Sequence, residues 1–128
     1  MLLALRHPRL WLVSGWIMVV LSIIASIMPL TQMPKMGVSD KVEHVFAYAV
    51  LALWFAGIYP KSRYPMIGVA LLVMGIVIEG LQGAMNLGRV ADMRDVYANT
   101  LGIVCGLVLA LIWLGGWAQR VEAWTKKP

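Results

Sequence analysis

The chain has 128 residues, of which 61% are hydrophobic and 13% charged, with a net charge of +5 and a mean hydropathy of +0.80. Soluble domains average about 45–50% apolar and about 25% charged residues, so this composition argues against a water-soluble bundle. It fits helices that each cross roughly 30 Å of hydrocarbon with about 20 apolar residues, and leaves no length for a separate soluble domain.

Four such stretches are predicted, at about 10–28, 42–59, 66–84 and 96–117. The first is apolar apart from three serines and a glycine, and Pro29 and Pro34 punctuate its end. Arg6 and Arg9 precede it as they would a signal peptide. Its near-spanning length and the lack of a convincing small-x-small site before Thr31 favour a retained span. The second stops at Pro60 and the third starts after Pro65. A tight polar connection, Asn86-Leu87-Gly88-Arg89, leads towards the fourth. Connections this short make sequence neighbours antiparallel. The expected fold is therefore all-α, a four-helix antiparallel transmembrane bundle in which residues 1–128 form one membrane domain. Cys105 lies inside the fourth span, where it is expected to be a small apolar packing residue.

Orientation follows from the basic residues. Arg6, Arg9, Lys61, Arg63, Arg120, Lys126 and Lys127 share one side of a four-span arrangement, against Lys35, Lys41, Arg89 and Arg94 on the other. Excess Lys and Arg mark the cytoplasmic side, so both termini are expected there. Trp11, Trp54, Trp113, Trp117 and Trp124 lie towards the same face and fit an interfacial belt, while Trp16 is deeper, packed or facing lipid. The positive charge is explained by orientation, and no motif points to nucleic acid.

The acids distribute oppositely: Asp40, Glu43, Glu79, Asp92 and Asp95 fall at or just below the outer side, and Glu122 alone is cytoplasmic. Asp40, His44 and Tyr48 follow i, i+4, i+8 on one side of the second span. Asp40 with Glu43 also reads as a capping box, and Lys41 as a snorkelling headgroup anchor. His44 is either a hydrogen-bonded partly buried histidine or a proton-transfer or binding group, given a reference pKa near neutrality. In the third span, Glu79 and Gln82 are i, i+3, with Glu79 roughly 6 Å below the outer boundary. An acid at that depth needs a partner or water, and is a site candidate unless it forms a structural ion pair. Gly68 and Gly75 mark close approaches of another helix on a related face.

Arg89, Asp92, Arg94, Asp95 and Asn99 form the densest cluster. Asp95 and Asn99 continue into Gly102 and Gly106, a small-x-x-x-small pair for helix packing. Asp92 or Asp95 can instead cap the helix, and Arg94 can meet phosphate headgroups. The outer ends of spans two to four are thus expected to converge on a shallow polar pocket. Its members are Asp40, His44, Glu79, Gln82, Arg89, Asp92, Asp95 and Asn99, with the first span as a packing helix. Arg89 suits a phosphate or carboxylate. His44 with Glu79 or an aspartate suits acid–base transfer. These groups can also hold a divalent metal, but no specific ligand motif indicates one, and no phosphate loop, dinucleotide fingerprint or nucleophile elbow is present.

The ordered set Asp40-Lys41, His44, Tyr48, Glu79-x-x-Gln82, Arg89-x-x-Asp92-x-x-Asp95-x-x-x-Asn99-x-x-Gly102-x-x-x-Gly106 resembles the VanZ-like family, over about Pro29 to Leu109. The resemblance implies a small multi-span protein of the bacterial cytoplasmic (inner) membrane. The family is named for a protein associated with low-level teicoplanin resistance, and its members resemble proteins suspected of acting on lipid headgroups or lipid-linked cell-envelope intermediates. Resistance itself does not transfer with the resemblance.

Two functions remain open at this stage. In one, the chain binds or modifies an anionic headgroup of a membrane lipid or lipid-linked envelope intermediate. His44, Glu79 and Asp95 would then be catalytic, and Asp40, Tyr48, Gln82, Arg89, Asp92 and Asn99 would bind substrate. In the other, the polar groups lock the helices or contact a protein partner, with a homo-oligomer compatible with the glycine pairs. A transporter fits less well, since no polar path continues into the cytoplasmic half.

Overall fold

A computed structural model describes residues 1–32, 37–86 and 88–125. Pro34, Lys35, Leu87, Lys126 and Lys127, used above, lie outside the described residues. The described residues form helices and turns: α1 (Pro8–Ile27), α2 (Asp40–Ile58), α3 (Tyr64–Met85), α4 (Met93–Leu109) and α5 (Trp117–Trp124), with single 3₁₀ turns at Leu30–Gln32 and Lys61–Arg63.

Four helices are long and apolar enough to cross a membrane, and the chain is a multi-pass membrane protein. Their outward faces are apolar. On α1, Val13, Trp16, Ile17, Val20, Leu21 and Ile24 are all exposed, and only Gly15 and Val19 are buried. Such a surface is compatible with lipid and not with water. Cys105 joins this outward face, contrary to the expected packing role, because the inward stripe of α4 is occupied by its glycines.

The boundaries shift from those predicted, for reasons that lie in the caps. Ser39, not Asp40, caps α2: its hydroxyl accepts the Val42 N–H, so the expected Asp40/Glu43 capping box does not form. Asp92 caps α4 by accepting the Arg94 N–H at 2.9 Å, which starts that helix three residues before the expected position. Asn86 ends α3 in the left-handed conformation, with φ of 50°. The fourth span runs as one element only to Leu114. After Leu109 it widens into a π turn, Ala110–Leu114, closed by the Gly115 N–H on the Ala110 carbonyl at 2.8 Å. Gly116 then takes φ of 67°, so Trp117 belongs to α5 and not to the span.

Neighbours in sequence run antiparallel, but the closest pair is α2 with α4, which run parallel. Contacts advance together along both helices: His44 with Asn99, Tyr48 with Gly102, Ala49 with Gly106. A Cβ on Gly106 would lie 2.6 Å from the Ala49 carbonyl oxygen, and one on Gly102 would overlap the Val45 carbonyl. Only glycine permits that approach, which is how small residues associate helices where lipid is as apolar as the core. This register also sets the two helix starts side by side.

At the opposite end, Trp11, Trp54 and Trp117 stack on one another with centroids 4.9–6.0 Å apart. Trp54 donates to the Trp11 carbonyl and Trp117 to the Leu53 carbonyl. Three of the five tryptophans expected in a belt therefore tie α1, α2 and α5 together, while Trp113 and Trp124 are exposed. Glu122 is buried there. It accepts the backbone N–H groups of Arg6 and His7, at 2.5 and 2.9 Å, and the Trp11 indole at 2.8 Å. Removal from water opposes its ionisation and is the largest single influence, but these donors together hold the carboxyl below the usual range. Glu122 thus satisfies orphan donors at the start of α1 from the far end of the chain.

Candidate functional site

The parallel register of α2 and α4 places the first turn of each beside the other. Helix starts carry partial positive charge, so the acids Asp40, Glu43 and Asp95 in these turns are locally favourable. Because Asp40 and His44 are one turn apart on α2, and Asp95 and Asn99 one turn apart on α4, the two pairs face each other across the seam.

His44 is held at the centre. Its Nδ1 lies 2.8 Å from Asn99 Oδ1, and its Nε2 lies 3.6 Å from Asp95 Oδ2 and 3.8 Å from Asp40 Oδ2. With an acceptor oxygen at Nδ1, that nitrogen carries the proton and Nε2 faces the two carboxylates. Burial grades outward: the Asp95 and His44 side chains are 8% and 11% exposed, whereas Asp40 is 49% exposed. A partly buried, oriented imidazole thus meets a rim open to its surroundings.

Lys41, expected as a snorkelling headgroup anchor, also reaches acids across the seam. Its ammonium donates to Asp92 at 3.1 Å and to Asp95, and lies 3.9 Å from Asp40. Lys41, Val45, Tyr48 and Ala52 form one stripe at helical spacing, and Val45, Tyr48 and Ala52 of that stripe meet the α4 glycines. Asp92, outside the membrane-spanning helix, is held below the ordinary carboxylate range by the Arg94 N–H first and by the Lys41 ammonium second.

The remaining expected site residues divide. Glu79 is buried, as its position on α3 implied, and accepts the Asp92 backbone N–H, tying α3 to the cap of α4. Tyr48 is buried one turn below His44. Gly75 gives it space: a Cβ there would stand 2.9 Å from Asn99 Nδ2 and 3.2 Å from the Tyr48 hydroxyl. Gln82 and Arg89 turn instead to α1. Gln82 donates to the Ser26 carbonyl at 2.6 Å and Arg89 to the Met28 carbonyl at 3.2 Å. The first span, expected only to pack, therefore supplies the last carbonyls of its helix to these two donors.

Chemically, the seam offers an oriented imidazole, three aspartates on two helices and one ammonium. A cavity of about 450 Å³ opens at the other end beside Arg6, Gln119 and Glu122. There the Glu122 carboxylate is already committed to three donors, so this cavity does not coincide with the reactive groups of the seam.

A family model described as VanZ/LLP1 matches residues 6–114, which includes every residue of this cluster and stops before α5. No curated protein and no solved structure matches the chain.

Proposed function

The chain belongs to the VanZ/LLP1 family, and from that premise we propose that it binds or modifies the anionic headgroup of a phospholipid or lipid-linked envelope intermediate at the outer leaflet of the bacterial cytoplasmic membrane. Residues 1–128 act as one unit, with both termini cytoplasmic, as the excess of Lys and Arg at that end favours. The observation that carries the proposal is His44, fixed by Asn99 on one nitrogen and presenting the other towards the buried Asp95 and, at the open rim, Asp40. Two helix starts, with their positive dipole ends, converge on the same place and suit a phosphate oxygen.

In this proposal His44 is the acid or base, oriented by Asn99 and supported by Asp95 and, through the Asp92 backbone, by Glu79. Lys41 joins Arg89 as a proposed headgroup ligand, the Lys41 ammonium exchanging an aspartate for a phosphate oxygen. Asp40, Asp92, Tyr48 and Gln82 shape the bound position.

A second proposal, that the groups only lock the helices, draws on one specific observation: Lys41 joins α2 to both Asp92 and Asp95. Native mass spectrometry of the full chain, released from bilayers of mixed phosphatidylglycerol and phosphatidylcholine, separates the two. Headgroup binding predicts retained phosphatidylglycerol that is lost in His44→Ala while the thermal transition in detergent holds. A helix lock predicts no lipid preference and a transition that falls with the same substitution.

A further inference from the structure

We propose that Asp40, His44 and Asp95 form a binding site for one divalent transition-metal ion of the Zn²⁺ or Mn²⁺ class. The three residues each offer one ligand atom, and those atoms lie within 4.8 Å of one another. The inference rests on the reading of this cluster as a ligand site, though not on that ligand being a lipid.

Three features support it. The first is spacing. The contacts from Nε2, at 3.6 and 3.8 Å, are too long for hydrogen bonds. Two ligands bound at about 2.1 Å in tetrahedral geometry stand about 3.4 Å apart, so both contacts from His44 are within a few tenths of an ångström of that spacing. The second is tautomer. Asn99 Oδ1 at 2.8 Å takes the Nδ1 proton and leaves the Nε2 lone pair directed at the carboxylates. Metal-bound histidines have this second partner, which fixes the ring. The third is charge. Asp40 and Asp95 set two carboxylates on His44 and share the Lys41 ammonium with Asp92, whose charge Arg94 also offsets, so the triad itself favours an added cation. Asp95 can serve the ammonium and the ion together, since Lys41 engages Oδ1 and His44 faces Oδ2.

Mixed imidazole and carboxylate donors select Zn²⁺ or Mn²⁺ over Ca²⁺ or Mg²⁺, which favour all-oxygen cages. Three protein ligands leave a coordination position open, as metal sites that take up a substrate do. An oxygen of a phosphate is the natural occupant, reached from the exposed Asp40 side.

The test is a Zn²⁺ titration of the full-length, chelator-stripped protein in detergent, read by calorimetry and by metal content after desalting. One ion per chain is expected. His44→Ala, Asp40→Asn and Asp95→Asn should each weaken binding at least about tenfold, and Asn99→Ala about 10–100-fold through the ring orientation. Glu43→Gln, a neighbouring acid outside the triad, should bind as the parent does. Helical circular dichroism of each variant distinguishes lost ligation from lost folding, and an unfolded variant is replaced by His44→Gln. Absence of a stoichiometric ion in the parent, or equal binding in folded His44→Ala, overturns the site. Phosphatidylglycerol retention measured with and without chelator keeps the two proposals apart: lipid retained without any ion sinks the metal site alone, and an ion bound without lipid preference sinks the headgroup proposal alone.

Discussion

Replacing Gly102 by alanine should damage both the packing and the site. A Cβ at that position overlaps the Val45 carbonyl and lies 3.1 Å from the Ala49 nitrogen and from the Tyr48 Cβ. The obstacle is mostly backbone, which cannot rotate away. Restoring an ordinary contact of about 3.5 Å pushes α2 and α4 apart by roughly 1 Å. Overpacking of this kind costs about 1–3 kcal/mol. The same displacement stretches the 2.8 Å His44–Asn99 bond, three residues away on α4, past hydrogen-bond range. Gly80 supplies the control, because a Cβ there meets nothing within 4 Å. Gly80→Ala should be neutral or up to about 1 kcal/mol stabilising through helix propensity. The assay is reversible unfolding in mixed micelles, paired with ¹⁵N chemical shifts of the His44 ring nitrogens. Equal stability of the two variants, with His44 shifts unchanged in Gly102→Ala, would refute the close parallel seam.

Other consequences concern the two ends of the bundle. The Glu122 carboxyl is held below its ordinary value, so its stabilising contribution is complete above the unfolded-state pKa of about 4.3 and is lost as pH falls through the lower folded value. Proteolysis after Arg6 or Arg9 should therefore accelerate in acid, and Glu122→Gln should be cleaved quickly at every pH; a pH-independent parent would argue against the lock. Trp117→Ala removes the stacking partner of Trp11 and Trp54 and should cost about 3 kcal/mol, seen in chemical denaturation. Lys41→Met should weaken phosphatidylglycerol retention roughly tenfold, by analogy with charged hydrogen bonds worth about 1.5–3 kcal/mol, and unchanged retention would remove Lys41 from the headgroup proposal.

The spans were readable because each apolar run approaches the length that hydrocarbon demands, and Pro60 and Pro65 separate two of them plainly. The ends were less so. Ser39 and Asp40 are both good caps, and only the path of the chain chooses between them. The π turn and the Gly115–Gly116 break carry a composition that a lipid-crossing helix also carries, so the fourth span looked continuous to Trp117. At the site, Asp40, His44, Asp95 and Asn99 could be paired from helical spacing alone. Lys41 could not be assigned, since snorkelling and inward pairing suit a lysine equally until the partner helix is placed. Gln82 and Arg89 were read as facing the same pocket, but the carbonyls they reach are at the end of α1, and backbone acceptors leave no mark in a sequence. Glu122 was opaque for a related reason: its partners lie 111–116 residues away and two of the three are main-chain groups.

The most direct test of the headgroup proposal uses the fact that the chain has two histidines, His7 and His44, on opposite ends. In the His7→Gln variant, ¹⁵N-labelled histidine reports on His44 alone. Solid-state ¹⁵N–³¹P dipolar recoupling then measures whether lipid phosphorus sits beside that ring. Headgroup binding predicts dephasing of the His44 nitrogens in phosphatidylglycerol bilayers and much weaker dephasing in phosphatidylcholine. No dephasing in phosphatidylglycerol, or the same dephasing in both lipids, would contradict it.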